Sequence, residues 1–369
     1  MPAELIAAAE LSRRDLTQWR ELAARAVEPN PFFEQEYVLP LASGLNCEQE
    51  VQLLVVRDRD RWRACMPVHT EKRWHGLPIR SLATWLGHPL YGLLGTPLVA
   101  PERSGESLAE LLDGIPGSVR GAKFGALERV TSDGPLGQPL MALLEERRPA
   151  PLLFERYERA ALRRRPKPTY IEETLSSKHR RELRRLRRKL GEELGGEPTV
   201  VDRAGDDSAY ADFVALEAAG SLAKSGTVIA ADPGHVAFFT AMCRAFAARG
   251  RLQLLALQAG DQTVAMKCNL IAGSTIFFFK IAYDERWSAY SPGILLELEM
   301  LKLFHENSDV DLMDSCADAN NSMINRLWPD RRELITHLLP AAGLTGRATR
   351  PALAAARSLR DFKRERRNR

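Results

Sequence analysis

The chain has 369 residues, of which 45% are hydrophobic and 27% are charged. These proportions are ordinary for a soluble globular protein, and the length suits two domains. The five cysteines are scattered, without a CxxC pair or a His/Cys cluster at zinc spacing, which argues against a disulfide framework and against a metal site. The most apolar run, residues 270–283, contains Lys280 and is too short for a membrane-spanning helix. With no signal-peptide pattern at the start, a cytoplasmic location is expected.

Positive charge is concentrated in two segments, although the formal net charge is only +4. Residues 163–189 contain twelve Lys or Arg against three Glu, and residues 347–369 contain nine against two acids. The remainder of the chain is therefore acidic. Two cationic segments on an acidic body predict contact with an anionic partner.

The N-terminal half predicts a helix over 15–27 and a β-hairpin from strands 51–56 and 62–68. Residues 82–99 are rich in Gly, Pro and aromatic side chains, which favours an irregular packed stretch. Further predicted elements are the helices 107–112 and 140–148 and the strand 126–130. A domain boundary is expected at 163–168.

The C-terminal half begins with a basic helix over 176–194. Leucines at 183, 186, 190 and 194 form one apolar stripe, so the arginines occupy the other faces. A solvated charged face is the alternative interpretation of these arginines. The elements predicted after it are the strand 199–201, the helix 209–219, a loop with Lys224, Gly226 and Thr227, a helix from Asp232 and Pro233 to 249, the strands 252–258, 263–272 and 275–283, the helix 292–306, the strand 310–314, the helix 321–328 and the strand 332–339. Hairpins followed by a strand–helix–strand crossover predict a mixed sheet.

The stretch FFFKIAYDERWSAYSPGILL, residues 277–296, joins a hydrophobic strand to an amphipathic helix. Ser291 is a preferred N-cap, Pro292 suits the first helical position, and Gly293 lets a ligand approach the backbone. With Ile294 in the same turn, these residues offer free N–H groups and the positive end of a helix dipole, which suits a phosphate. An ordinary, well-capped strand-to-helix corner is the alternative.

Three stretches of the C-terminal half resemble the GNAT acyltransferases, in particular the branch called CelD-like or cellulose-biosynthesis-type. They are FVALEAAGSLAKSGT at 213–227, the stretch 277–296, and MDSCADANNSMINRLW at 313–328. The lead-in SSKHRRELRRLRRKL and the N-terminal NPFFEQEYVLP are similar to that branch too, so the likeness reaches about residue 340. One departure is the sequence Ser221, Leu222, Ala223, Lys224, where the family commonly has Trp-Lys; this puts the acceptor pocket in doubt.

The resemblance implies an α+β (mixed α/β) fold like that of Fem-type transferases, with two GNAT-like lobes. Each lobe is expected to be a mixed, mostly antiparallel sheet flanked by helices. The implied domains are an N-terminal lobe at 1–165, an acyltransferase domain at 166–345 that carries the cofactor site, and a basic, mobile tail at 346–369.

The resemblance also implies the reaction, which is direct transfer of an acyl group from acetyl-CoA or a longer acyl-CoA to an amine. The thioester is expected where strands 275–283 and 310–314 separate, with the pyrophosphate at Ser291, Pro292, Gly293 and Ile294. Arg184 and Arg188 would meet the cofactor's 3′-phosphate, an acidic acceptor or an anionic membrane surface. The acceptor is expected on an envelope, polysaccharide or lipid precursor, and the oligomeric state is open.

Four residues are candidates for the chemistry. Tyr283 ends its strand, where it would protonate the leaving thiolate, and Lys280 is a mid-strand lysine that needs an anionic partner. Glu217 on an apolar helix and Asp314 at the opposite strand end are the candidate bases, since partial burial would raise the pKa of Glu217. Two of the four have a structural alternative: an ion pair for Lys280 and a packing role for Tyr283. Strand alternation places Tyr283 with 277, 279 and 281 on one face and Lys280 with 278 and 282 on the other.

A covalent route through Cys316 is the least favoured mechanism, because no histidine lies near it in sequence. The three histidines of the C-terminal half with helix-cap or surface spacing are His235, His305 and His337. Nucleic-acid binding is the main alternative from another class, including the aminoacyl-tRNA donors of Fem-type relatives, although the cationic segments have few aromatics to stack bases. A catalytically inactive scaffold is the third interpretation.

Overall fold

The computed structural model describes residues 2–74, 78–220, 228–343, 348–349, 351–355 and 357–358. The chain divides into two compact units: unit 1 is Met1–Val38, Cys47–Glu158 and Glu333–Arg369, and unit 2 is Leu39–Asn46 and Arg159–Arg332. The unit boundary therefore lies a few residues before the expected one. The final strand, which the sequence assigned to the second domain, belongs mostly to unit 1.

The elements of the first half agree with the predicted helices, hairpin and strand and add five more, β1, α2, β4, β5 and β7. In chain order they are β1 Glu4–Ala7, α1 Arg13–Ala24, α2 Gln35–Gly44, β2 Gln52–Asp58, β3 Arg61–Glu71, β4 Ser81–Thr84, β5 Leu98–Val99, α3 Ser104–Gly117, β6 Phe124–Thr131, α4 Gly137–Glu146 and β7 Leu152–Arg163. Three of them, β1, α2 and β7, are a four-residue strand, a helix with an internal proline and a strand dense in Arg and Glu, none of which has a strong periodic signal. The other two, β4 and β5, are strands of four and two residues at the ends of the stretch 82–99, which was predicted to be irregular.

The second half follows the predicted order closely. Its elements are α5 Tyr170–Thr174, α6 Ser177–Leu194, β8 Thr199–Asp202, α7 Ser208–Ala219, α8 Pro233–Ala247, β9 Leu252–Ala259, β10 Gln262–Ala272, β11 Thr275–Tyr283, α9 Pro292–Glu306, β12 Leu312–Asp314, α10 Ser322–Leu327 and β13 Asp330–Pro340. Asp232 caps α8 through its side chain, as its position before Pro233 predicted, and Ser176 caps α6 in the same way.

Each unit repeats one strand arrangement. In unit 1 the order is β1-β2-β3-β4-β6-β13, and in unit 2 it is β7-β12-β11-β10-β9-β8. In both, a three-strand antiparallel meander is followed by a helix and by a strand parallel to the third one: β4 with β6, and β11 with β12. The next strand in the sheet is antiparallel, β13 in unit 1 and β7 in unit 2. The fold is thus mixed α/β, with mixed sheets flanked by helices.

The sheet of unit 2 is covered on both faces. The leucine stripe of α6, with Leu183 and Leu190 fully buried, joins residues of α9 and of strands β9–β11 in one apolar cluster. On the other face, Phe238 and Phe239 of α8 contact Phe279 of β11, at 6.2 Å between ring centroids in each pair. Among the described helices, none is long and apolar enough to cross a bilayer.

Candidate active site

The parallel ladder between β11 and β12 is short and opens at one end. Its last pair is Phe277 with Asp314. Strand β11 continues to Tyr283, whereas the chain after β12 stays with β7, because the Ser315 N–H donates to the Ala160 carbonyl at 3.1 Å. The two parallel strands therefore separate at the place where the sequence predicted a gap.

Strand β11 contains a β-bulge, which the alternation argument missed. Opposite β10, Lys280 pairs with Cys268 and Phe278 pairs with Asn269, so Phe279 is the extra residue. Phe278 consequently packs in the same cluster as Ile281 and Tyr283, while Phe279 faces α8. The predicted two-face assignment of this strand is wrong, because one inserted residue reverses the alternation.

Helix α9 begins at Pro292, as predicted, but Ser291 does not cap it with its side chain. Ser291 has φ 54° and ψ 51°, a left-handed conformation, and makes no side-chain cap hydrogen bond. The first intrahelical bond runs from Leu295 N–H to the Ser291 carbonyl, at 3.0 Å. The N–H groups of Gly293 and Ile294 precede it and are therefore outside the helical ladder.

Tyr283 and the helix start are neighbours. A Cβ placed on Gly293 would lie 3.6 Å from Cδ1 of Tyr283 and 3.7 Å from Cδ1 of Ile281. Pro292 and Gly293 are buried, and Ser291 and Ile294 are half-buried. The structure thus brings the predicted acid and the predicted phosphate-binding turn together, with side-chain room at Gly293 for about one methyl group.

Glu217 and Lys280 form an ion pair with each other. The Glu217 carboxylate, 2% exposed, forms a salt bridge with the Lys280 ammonium. Its other oxygen accepts a hydrogen bond from Ile229 N–H at 2.7 Å. With both oxygens engaged, Glu217 is placed to hold α7 on β11, which is the ion-pair alternative considered for Lys280.

Asp314 does not point into the gap, contrary to expectation. Its fully buried carboxylate lies between Arg159, at 2.6 Å, and Arg332, at 2.7 Å, and accepts from Cys316 N–H at 2.9 Å. Burial alone would raise the pKa of Asp314, but the two guanidinium groups outweigh it and lower the pKa to about 2. A carboxylate in this state is a structural anchor and a poor base.

Cys316, His305 and His337 are not placed for catalysis. Burial, and then the charge of Asp314, raise the pKa of the Cys316 thiol, so the nucleophilic thiolate is disfavoured. His305 contacts the Tyr170 hydroxyl at 3.3 Å in the last turn of α9. His337 is buried within β13, not on the surface as expected, and burial with nearby Arg156 lowers its pKa to about 4. No cluster of three or more His, Cys, Asp or Glu suited to a metal occurs in the described part of the chain.

A groove of about 580 Å³ lies between α6 and α9, and is called the α6–α9 groove below. Arg181, Leu183 and Arg184 line it from α6, and Leu295 and Leu298 line it from α9. Of the two arginines predicted to bind the cofactor, only Arg184 lies in this groove. Arg188 lies outside it and pairs with Glu192 at 3.3 Å, with a side chain that is 71% exposed.

Sequence reasoning missed a buried ion pair that joins β10 to α9. The Lys267 ammonium of β10 lies 2.5 Å from a carboxylate oxygen of Glu297, and both side chains are 0% exposed. The ammonium also sits 3.9 Å from the ring centroid of Phe278. Burial lowers the pKa of Lys267, and Glu297 opposes that shift. The only sequence signal for this ion pair is that Lys267 and Glu297, thirty residues apart, each lie in an apolar run.

Two predicted features fall outside the described residues. They are the loop with Lys224, Gly226 and Thr227, together with the family departure at 221–224, and fifteen of the 24 residues of the basic tail. Those parts stay predictions. In the described part of the tail, residues 351–355 are helical and Leu353 is buried in an apolar cluster with Trp74 and Phe124, so the expectation of a mobile tail is wrong there.

A family model described as the acetyltransferase (GNAT) domain matches residues 177–321. That segment is thus similar to a GNAT domain. The match covers less than half of the chain and includes β11, α9 and β12, the elements that frame the gap. No curated protein sequence matches the chain. The narrower CelD-like assignment stays a prediction.

Solved structures share the fold over almost the whole length. The crystal structure of FemX has a TM-score of 0.59 at 10% identity, covering 95% of this chain and 100% of that one. A conserved protein of unknown function from Bacteroides thetaiotaomicron has 0.53 at 12% identity, with 88% and 97% covered. The C-terminal domain of a putative lysylphosphatidylglycerol synthetase from Agrobacterium fabrum has 0.51 at 11%, with 88% and 91% covered. At such identities the likeness establishes the fold alone, and the GNAT match supports a transferase without fixing its donor.

Proposed function

We propose that the protein is an N-acyltransferase that moves an acyl group from a coenzyme A thioester directly to an amine. The observation that carries the proposal is the helix start at Gly293 and Ile294, beside the opening between β11 and β12, inside the segment that matches the GNAT domain. A helix start with N–H groups outside the ladder is suited to the pyrophosphate of the donor.

The two units contain the same helix start but differ in the side-chain charges of its first turn, which favours unit 2 as the cofactor unit. Helix α3 also follows a residue in the left-handed conformation, Arg103 with φ 55°, and Gly105 corresponds to Gly293 as its second residue. Its first turn, however, contains Glu106, which pairs with Arg103. The first turn of α9 has no acidic residue. A phosphate would be repelled in the first case and accepted in the second.

Tyr283 is the proposed general acid. When the amine nitrogen attacks the thioester carbonyl, a C–N bond forms and the C–S bond breaks, and the sulfur leaves as thiolate. Tyr283 gives its hydroxyl proton to that sulfur and regains one from the new amide nitrogen, so the amine's proton ends on the thiol. This route needs no carboxylate base, which fits the engagement of Glu217 and Asp314 in ion pairs. Glu217 and Lys280 then act as positioning residues.

The finer assignments belong to the same proposal. The donor is acetyl-CoA or a longer acyl-CoA, the acceptor is an amine on an envelope, polysaccharide or lipid precursor, and the reaction takes place in the cytoplasm. The second candidate is a Fem-like transferase that uses an aminoacyl-tRNA donor, and the fold likeness to FemX favours keeping it.

Thermal unfolding with coenzyme A, acetyl-CoA and palmitoyl-CoA tests the donor. A ligand at about 100 times its dissociation constant adds about 2.7 kcal/mol to the free energy of unfolding, which gives a clear shift of the midpoint. The proposal expects that shift with at least one of the three. No shift with any of them, together with tRNA binding that weakens steeply with salt, would replace it with the Fem-like candidate.

A further inference from the structure

Helix α6 separates apolar and basic residues onto different faces. Leu183 and Leu190 are buried in the unit 2 core, while the basic face is exposed. At 100° per residue, the exposed cations lie within one arc of roughly 140°, on the side away from the leucines. They are Lys178, Arg181, Arg184, Arg185, Arg188 and Lys189.

Only part of this basic face is neutralised within the protein. Arg185 pairs with Glu182 at 2.5 Å, and Arg188 pairs with Glu192. The other four cations of the face, including Arg181 and Arg184, have no carboxylate within 4.0 Å in the described structure. Arg181 and Arg184, which are three residues apart, are neighbours on the helix surface and both line the same groove.

The α6–α9 groove adds an apolar floor to those charges. Leu183, Leu295 and Leu298 line the groove, and Arg181 and Arg184 line it from the basic face. Deeper cations are already paired: Arg180 with Glu172 at 2.6 Å, and Arg187 with Glu299. The unpaired charge and the apolar surface thus meet at the groove's edge.

We propose that the α6–α9 groove binds a phosphate-bearing amphiphile presented by an anionic lipid bilayer. The phosphate lies between Arg181 and Arg184, and the apolar part of the molecule covers Leu295 and Leu298. The other exposed cations of α6 then face neighbouring anionic headgroups. This assigns Arg184 to a ligand other than the coenzyme A donor and does not depend on the proposed reaction.

The surface chemistry favours a lipid over a nucleic acid. Helix α6 has no Phe, Tyr or Trp, so it has no platform for stacking bases. A phosphate-bearing amphiphile uses both the guanidinium pair and the leucine floor, whereas a nucleic-acid backbone uses only the charges.

Vesicle co-sedimentation tests the proposal. The full chain is expected to bind phosphatidylcholine vesicles that contain phosphatidylglycerol and not pure phosphatidylcholine vesicles. The double variant Arg181→Gln, Arg184→Gln should bind about 30-fold more weakly, from two lost charges near the surface. The matched control is Arg120→Gln, Lys123→Gln, two exposed cations three residues apart in unit 1, and it should bind like the unaltered protein.

Two further arms separate the groove from the basic face and from other phosphates. Leu298→Trp, which fills the groove but keeps every charge, should weaken vesicle binding, and glycerol phosphate in solution should compete only weakly. Coenzyme A should still raise the unfolding midpoint of the arginine double variant. Equal vesicle binding by the double variant and its control, or loss of the coenzyme A response in the double variant, would overturn the proposal, as would a preference for RNA over vesicles.

Discussion

Lys280 of β11 and Glu217 of α7 form a salt bridge on the face of the sheet opposite α9, with side-chain exposures of 18% and 2%. The same carboxylate holds Ile229 N–H, so one acidic group ties a helix, a strand and the segment before α8 together. The sequence analysis named both residues as catalytic candidates. Because each charge is compensated by the other, both side chains can lie among apolar residues.

Breaking this pair should destabilise the protein. Glu217→Gln and Lys280→Met each leave a poorly compensated group behind, and each should cost about 3 kcal/mol in the free energy of unfolding. The double variant should cost clearly less than the sum, because neither charge is then left alone. Urea denaturation measures all three, with Asp212→Asn on the exposed side of α7 as control. Additive costs would show that the pair is not coupled.

The buried triad of Asp314 with Arg159 and Arg332 should make stability depend on acid. The folded-state pKa of Asp314 is lowered to about 2, below its unfolded value near 3.9, so its contribution is complete above the unfolded pKa and is lost as the pH falls through the folded one. The stability advantage over Asp314→Asn should therefore shrink by about 2 kcal/mol in total between pH 5 and pH 2. Denaturant titrations at several pH values measure it, and exposed Asp311→Asn is the control. A constant advantage across this range would refute the assigned triad.

The buried pair of Lys267 and Glu297 should be replaceable as a unit but not singly. One carboxylate oxygen of Glu297 has no hydrogen-bond donor among the described residues, so the pair is incompletely satisfied. Lys267→Met alone should cost about 3–5 kcal/mol, whereas Lys267→Met with Glu297→Leu should be close to neutral. Calorimetric unfolding distinguishes the two outcomes. If the double variant were as unstable as Lys267→Met, the salt bridge would itself stabilise the packing of α9. The cost of the single change would then not come from leaving one buried charge unpaired.

Tyr283→Phe tests the proposed general acid. The ring beside the start of α9 remains, but the proton donor is lost. The turnover number with acyl-CoA and amine should fall by about 100-fold or more, while the KM for acyl-CoA stays nearly unchanged. Steady-state kinetics with detection of the released thiol measures both. A loss confined to KM would make Tyr283 a binding residue.

The sequence predicted helices and strands best where turn or capping residues mark both ends of the element. Strand β11 and helix α9 begin and end where expected, because a turn, a proline and a clear apolar pattern mark them. The bulge at Phe279 escaped prediction, since one extra residue within a run of three phenylalanines leaves no signal in composition.

Tertiary partners were the part that could not be predicted. Asp314 was assigned to the gap because it was predicted to end its strand there. Its ion-pair partners, Arg159 and Arg332, lie 155 and 18 residues away in sequence, so no local pattern indicates them. The pairing of β12 with β7, rather than with the strand that follows it, likewise depends on contacts that no local pattern encodes.

The central claim is that the N–H groups at the start of α9 bind the pyrophosphate of coenzyme A. Calorimetric titration with coenzyme A and with pantetheine, which lacks the pyrophosphate, tests it in the unaltered protein, in Gly293→Glu and in Gly105→Glu. Gly105 is the matched control, since it occupies the same position in α3 and a Cβ placed on it would have no atom within 4 Å. We expect strong binding of coenzyme A and weak binding of pantetheine, with loss of coenzyme A binding only in Gly293→Glu. Equal binding by the two glycine variants would contradict the account.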